Sequence, residues 1–81
     1  MKEKEIIVKI EQILRDNIPG FLEGELSMDT PINSEKGVDS LGFILLMSKI
    51  QEEFGFEIPP RKWGKIQTLG DLVAFIEKKV N

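Results

Sequence analysis

The chain of 81 residues contains no cysteine and no histidine. Without cysteine it can form no disulfide, and it offers no thiolate for catalysis or metal binding. Without histidine it lacks the commonest general base and metal ligand, so none of its four serines can form a Ser–His pair. We therefore expect no catalytic activity of its own and no metal site. A binding or carrier role is favoured.

Long apolar runs are also absent, and no stretch approaches the roughly 20 apolar residues of a membrane span. The charged start, Met1–Glu5, does not resemble a signal peptide. We therefore expect no membrane insertion and a cytoplasmic location. The share of hydrophobic residues, 41%, is typical of a folded protein, and the length predicts a single domain over residues 1–81.

The net charge of −3 is unevenly distributed along the chain. Residues 20–57 hold eight acids against two bases, whereas residues 58–81 hold five bases against two acids. An acidic middle argues against nucleic-acid binding, which needs a clustered basic face. It is compatible with docking onto basic patches of partner proteins, or simply with a solvated surface.

Helical periodicity begins near the N-terminus. The segment Lys2–Asp16 carries an apolar stripe, and Pro19 with Gly20 should end that helix. The stripe comprises Ile6, Ile7, Ile10, Ile13 and Leu14. A long connection, Phe21–Val38, follows, and connections of this length are often functional. The side chains that could tether it to the core are Phe21, Leu22, Leu26, Met28 and Ile32.

A second helix is expected over Asp39–Phe54, with Asp39 as its N-cap. Its run Leu41–Met47 is apolar almost all round, which a small bundle cannot bury completely. Some members of the following set should therefore be exposed as a docking surface: Leu41, Ile44, Leu45 and Ser48.

A short helical piece, Arg61–Gly64, and a last helix complete the pattern. The last helix opens with the capping box Thr68-x-x-Asp71. Its stripe comprises Leu69, Leu72, Val73, Ile76 and Val80. The fold predicted is an all-α bundle of three main helices plus one short helix, with a long loop between the first two main helices.

The stretch Gly37-Val38-Asp39-Ser40-Leu41 resembles the phosphopantetheine site of the acyl carrier protein family, including its peptidyl and D-alanyl carrier relatives. The tripeptide Asp-Ser-Leu alone is weak evidence. It follows a long loop and opens an amphipathic helix, as in the family. That helix ends in Glu52-Glu53-Phe54-Gly55-Phe56-Glu57-Ile58-Pro59, which is similar to a family segment at the matching distance from the serine. The resemblance covers essentially the whole chain.

The resemblance implies that Ser40 receives 4'-phosphopantetheine from coenzyme A, with Asp39 and Leu41 flanking it. A phosphate attached there would meet the unpaired N–H groups of a helix start. The arm would hold an acyl group as a thioester for enzymes of fatty acid, polyketide or specialised biosynthesis. The implied partners are a phosphopantetheinyl transferase, a loading ligase or transferase, and downstream enzymes, met by a monomer. Partner contacts would fall on Leu41, Ile44, Leu45, Ser48 and Lys49.

The chain departs from the fatty-acid-synthesis pattern on its second helix. Gly42, Leu45 and Gln51 stand where that pattern has acidic residues, and Lys49 adds a positive charge. We therefore hypothesise that its partners rely less on a basic patch and more on apolar contact.

The resemblance also implies a cargo pocket. Its positions fall here on Phe43, Ile58, Trp63, Ile66 and Leu72. Phe43 and Trp63 are bulkier than is usual there. Either these rings fill the pocket, so that the cargo is a short acyl or aminoacyl group, or Trp63 simply covers a small core.

The sequence is also compatible with two alternative functions. The chain could be an aminoacyl, peptidyl or D-alanyl carrier rather than an acyl carrier. It could also be a helical interaction module without a prosthetic group, in which Asp39 and Ser40 only cap a helix.

Overall fold

The computed structural model describes residues 2–18, 26–33 and 40–80. Its main helices are α1 (Glu3–Asn17), α2 (Ser40–Phe54) and α3 (Leu69–Val80), with a short 3₁₀ helix, Pro60–Lys65, between the last two. The described ranges contain one isolated β-bridge and no strand. The predicted all-α class is therefore confirmed. None of the helices in these ranges has the length and apolar character that a membrane crossing needs.

Helix α1 buries one stripe of its surface. Ile6, Ile10 and Leu14 are fully buried, and Ile7 and Ile13 flank them half-buried, as the periodicity predicted. The helix begins and ends one residue later than predicted, which is ordinary fraying of helix ends. The predicted stop at Pro19 and Gly20 lies outside the described residues.

Helix α2 buries the face made of Phe43, Leu46, Met47 and Ile50. It ends at Phe54 and is followed by Gly55, whose positive φ of 76° is a conformation that glycine adopts without steric cost. The Gly55 N–H donates to the Gln51 carbonyl oxygen at 2.9 Å and closes the last turn. The predicted N-cap, Asp39, lies outside the described residues.

Helix α3 begins with the predicted capping box. The Asp71 N–H donates to Thr68 Oγ1 at 3.2 Å, and the Thr68 N–H donates to Asp71 Oδ2 at 3.2 Å. Each bond satisfies a backbone donor that the helix start leaves unpaired. Four residues of the predicted stripe are buried, and Val80 is half-buried. The buried four are Leu69, Leu72, Val73 and Ile76.

The core forms where α1 packs against both α2 and α3. Its buried residues are all hydrophobic, and among the described residues no polar or charged side chain is buried. An entirely apolar interior avoids the free-energy cost of burying unpaired polar groups. It also places every charged side chain that the structure describes at the surface, where partners can meet it.

The segment 26–33 is held mainly by its backbone. The Gly70 N–H donates to the Met28 carbonyl at 2.8 Å, and the Leu69 N–H donates to the Thr30 carbonyl at 2.9 Å. Ile32 is fully buried and Leu26 half-buried, as predicted. The prediction that the Met28 side chain tethers this segment is wrong, because it is 39% exposed. Phe21 and Leu22 lie outside the described residues.

Substitution of Gly70 tests how tightly the backbone of segment 26–33 packs against α3. A Cβ at Gly70 would lie 3.0 Å from the Met28 carbonyl oxygen and 3.2 Å from Met28 Cβ. In an open helix, Gly→Ala stabilises by up to about 1 kcal/mol. Here the crowding should outweigh that gain, so we expect Gly70→Ala to destabilise the fold by about 1 kcal/mol in urea unfolding. Gly64→Ala is the matched control, since nothing lies within 4 Å of its Cβ. Equal stability of the two variants would show that the contact is not tight.

Candidate functional site

Ser40 is the first residue of α2. The first N–H groups of a helix have no partners within it, and the helix dipole is positive at that end. The first turn of α2 contains no acidic residue, so no carboxylate of that turn opposes an attached phosphate. This helix start therefore fits a phosphodiester on its opening serine. Asp39 lies outside the described residues.

Helix α2 has a second apolar stripe that faces solvent. Leu41 is 78% exposed, Ile44 47% and Leu45 39%, and Ser48 is exposed as well. These four residues, which we call the exposed α2 face, follow the i, i+3, i+4, i+7 spacing of one helix side. Among the described residues, three of the five exposed large hydrophobic side chains lie on this face. Exposure of this strip was predicted from the sequence.

Lys49 lies beside the exposed α2 face but is half-buried. It borders a small groove together with Ile13, Glu52 and Glu53. Across this region Lys9 Nζ lies 3.1 Å from Glu53 Oε2, which links α1 to α2. Both side chains of the pair are more than 40% exposed, so it stabilises by less than about 1 kcal/mol.

The five predicted cargo residues lie together in the core. Ile58, Ile66 and Leu72 are buried, Phe43 is 5% exposed, and Trp63 is half-buried against them. The rings of Phe43 and Trp63 meet edge to face, with centroids 5.8 Å apart and an interplanar angle of 83°. Trp63 Nε1 also donates to the Ile58 carbonyl at 2.8 Å. Both rings are therefore fixed in position by specific contacts.

Two polar residues hold this region in place: Asn33, which no sequence motif indicates, and Gln51, which the sequence marked only as a departure from the acidic pattern of the second helix. Asn33 Nδ2 donates to the carbonyls of Ile66, at 2.9 Å, and Trp63, at 3.2 Å. The Gln51 side chain accepts the Ile58 N–H at 2.6 Å. Asn33 acts on carbonyls 30 and 33 residues away, and no periodicity or spacing in the sequence indicates such a contact.

The family model for the phosphopantetheine attachment site matches residues 6–76 of the chain. This range includes α2 with Ser40 and nearly all of the bundle. The match defines the class of protein: a carrier that bears a phosphopantetheine group.

Comparison with curated relatives identifies the family within this class of carriers. The chain is 31% identical over 77 residues to an acyl carrier protein of Thermotoga maritima, covering 95% of this chain and 94% of that protein. It is 34% identical over 79 residues to one of Prochlorococcus marinus, covering 98% of each. An acyl carrier protein of Rickettsia bellii is 33% identical over 70 residues, 86% of this chain and 80% of that one. The chain belongs to the acyl carrier protein family.

Family membership defines the general role of the chain. It is a non-catalytic carrier whose prosthetic group is phosphopantetheine. It works with a phosphopantetheinyl transferase and with acyl-handling enzymes.

Proposed function

We propose that Ser40 is the attachment residue and that the chain delivers an acyl group to enzymes of fatty acid or related biosynthesis. The observation that carries this proposal is the position of Ser40 as the opening residue of a helix without acids in its first turn. When bound, the prosthetic group supplies a terminal thiol that holds the acyl group as a thioester. The sequence motif around Ser40, which includes Asp39 and Leu41, supports the same residue.

The helix start would stabilise the attached phosphate. Unpaired N–H groups and the helix dipole favour a negative charge there by roughly 0.3–1 kcal/mol at an exposed site. Helix α2 can do this because its buried face fixes it to α1. The attachment residue is therefore presented on a rigid element, although the arm itself is flexible.

The exposed α2 face would be the docking surface for the transferase and the acyl-handling enzymes. Its apolar side chains begin directly after Ser40, at Leu41, and end at Leu45, and Ser48 closes the face one turn further along the helix. A partner that covers this strip brings its own site to the attachment residue. Lys49, at the edge of the strip, would contribute at most a peripheral contact, because most of its surface is already covered by this chain.

The cargo we propose is a short acyl group that stays outside the core. The edge-to-face packing of Phe43 on Trp63 occupies the space between α2 and the 3₁₀ helix. The hydrogen bond from Trp63 Nε1 to Ile58 opposes rotation of the indole out of that space. The names of the curated relatives support an acyl cargo over an aminoacyl one. A cytoplasmic location stays a prediction from the sequence.

Substitution of Ser40 tests the attachment residue. Incubation with coenzyme A and a broad-specificity phosphopantetheinyl transferase should add one phosphopantetheine to the native chain and none to Ser40→Ala, as read by intact mass. Ser48→Ala is the matched control, because Ser48 is an exposed serine on the same helix and its loss should leave the mass gain intact. A mass gain in Ser40→Ala would show that the group is attached to another serine. No gain in the native chain would favour a helical interaction module.

A further inference from the structure

A cluster of lysine side chains surrounds one aromatic ring in the C-terminal part of the chain. Lys62 Nζ, from the 3₁₀ helix, lies 5.8 Å from the centroid of Phe75, and Lys79 Nζ, from α3, lies 5.9 Å from it. Together with Lys78 they line a concavity of about 330 Å³. We call these four residues, Lys62, Phe75, Lys78 and Lys79, the lysine–phenylalanine cluster.

Other aromatic rings pack against the inner side of the Phe75 ring, which lies at the centre of the cluster. Phe75 packs on Phe56 with ring centroids 6.5 Å apart, and Phe56 packs on Phe54 at the same separation. Phe75 is half-buried as a result, so it forms the floor of the concavity and does not project from the surface. The two cation–π contacts hold the ammonium groups over that floor.

The lysines of the cluster have no counter-ion among the described residues. The ion pair of Lys9 with Glu53 lies elsewhere on the surface. Glu77, the acid next to Lys78 in α3, forms no ion pair with a described residue, and Asp71 accepts backbone N–H bonds from Gln67 and Thr68. The cluster therefore places three lysines without an ion-pair partner among the described residues on a chain whose net charge is negative.

We propose that the lysine–phenylalanine cluster is a second docking site, which binds an acidic segment of a partner protein. Carboxylates of such a segment would pair with the ammonium groups, while its side-chain methylenes or a ring would contact Phe75. The site is separate from the exposed α2 face and requires no prosthetic group. The inference therefore does not depend on attachment at Ser40.

A protein segment fits this cluster better than a membrane does. Polybasic membrane sites use about four to eight basic residues, and interfacial helices insert protruding apolar side chains. The cluster has three lysines, and none of the exposed large hydrophobic side chains of the described residues belongs to it. Nucleic acid would require an open ring for stacking and a wider basic face.

Titration with an acetylated and amidated hexaglutamate peptide tests the proposal. At low ionic strength, saturable chemical-shift changes are expected in the backbone amides of residues 61–65 and of the C-terminal half of α3. The double variant Lys62→Gln/Lys79→Gln should weaken binding about fivefold, since it removes two of the three charges that would pair with the carboxylates. Lys2→Gln/Lys4→Gln changes the net charge equally on exposed residues of the N-terminal segment and should weaken it less than about twofold.

Four results would overturn the proposal. If both double variants weakened peptide binding equally, the peptide would respond only to the net charge of the chain. Absence of saturable shifts in the cluster, or equal shifts with hexaglutamine, would show that no anionic segment binds there. Vesicles of phosphatidylglycerol that bind the native chain but not Lys62→Gln/Lys79→Gln would assign the cluster to a membrane surface.

Discussion

Replacing Phe43 by alanine is expected to destabilise the fold by about 3–4 kcal/mol. The side chain is 5% exposed and packs edge to face on Trp63, so its removal leaves a cavity and ends the ring contact. For a domain of this size the melting temperature should fall by at least about 12 °C. Urea unfolding followed by circular dichroism measures the free energy directly.

Ile44→Ala is the control for Phe43→Ala. It alters the neighbouring residue of the same helix, but Ile44 is 47% exposed, and we expect a loss below about 1 kcal/mol. If the two variants lost the same stability, the packing of Phe43 on Trp63 would contribute nothing beyond surface burial.

The proposed short cargo can be tested with acyl chains of different length. An acyl chain that entered the core would bind the folded state alone and so stabilise it. We therefore expect the hexadecanoyl-loaded and butyryl-loaded chains to unfold with free energies within about 0.5 kcal/mol of each other. A much more stable hexadecanoyl form would show that Phe43 and Trp63 move apart to admit a long chain.

The second large effect is a loss of modification rate, and we expect it from a substitution on the exposed α2 face. Leu45→Glu puts a carboxylate into the apolar strip, and desolvating it in an interface is costly. We expect kcat/KM for modification by a phosphopantetheinyl transferase to fall at least about tenfold, which corresponds to about 1.4 kcal/mol of transition-state stabilisation. Circular dichroism would confirm that the variant remains folded.

Val8→Glu is the matched control for Leu45→Glu. Val8 is 59% exposed on α1, so the substitution makes the same change in charge on a surface outside the docking strip. Its kcat/KM should stay within about twofold of the native value. If Leu45→Glu were modified as fast as Val8→Glu, the hypothesis that partners depend on apolar contact with this face would fail.

The sequence predicted the parts of this fold that depend on local chemistry. The stripes of α1 and α3 follow from apolar spacing, and the Thr68–Asp71 capping box follows from two residues three apart. Exposure of part of α2 followed from a simple limit, since a helix that is apolar all round cannot be buried completely in a small bundle.

Contacts between distant segments could not be predicted in the same way. The backbone bonds between residues 28–32 and 67–70, and the bonds from Asn33 to the carbonyls of Trp63 and Ile66, join segments more than 25 residues apart. No local pattern encodes them. The lysine–phenylalanine cluster was missed for the same reason, because Lys62 and Phe75 meet only when the 3₁₀ helix packs beside α3.

Peptide mapping of the protein isolated from its own cells tests the central claim most directly. After proteolysis, tandem mass spectrometry of each serine-containing peptide would locate any phosphopantetheine without depending on a foreign transferase. The proposed attachment at Ser40 predicts the group on the peptide that contains Ser40 and on none that contains only Ser27, Ser34 or Ser48. A chain that is unmodified in its own cells, or modified at another serine, would contradict it.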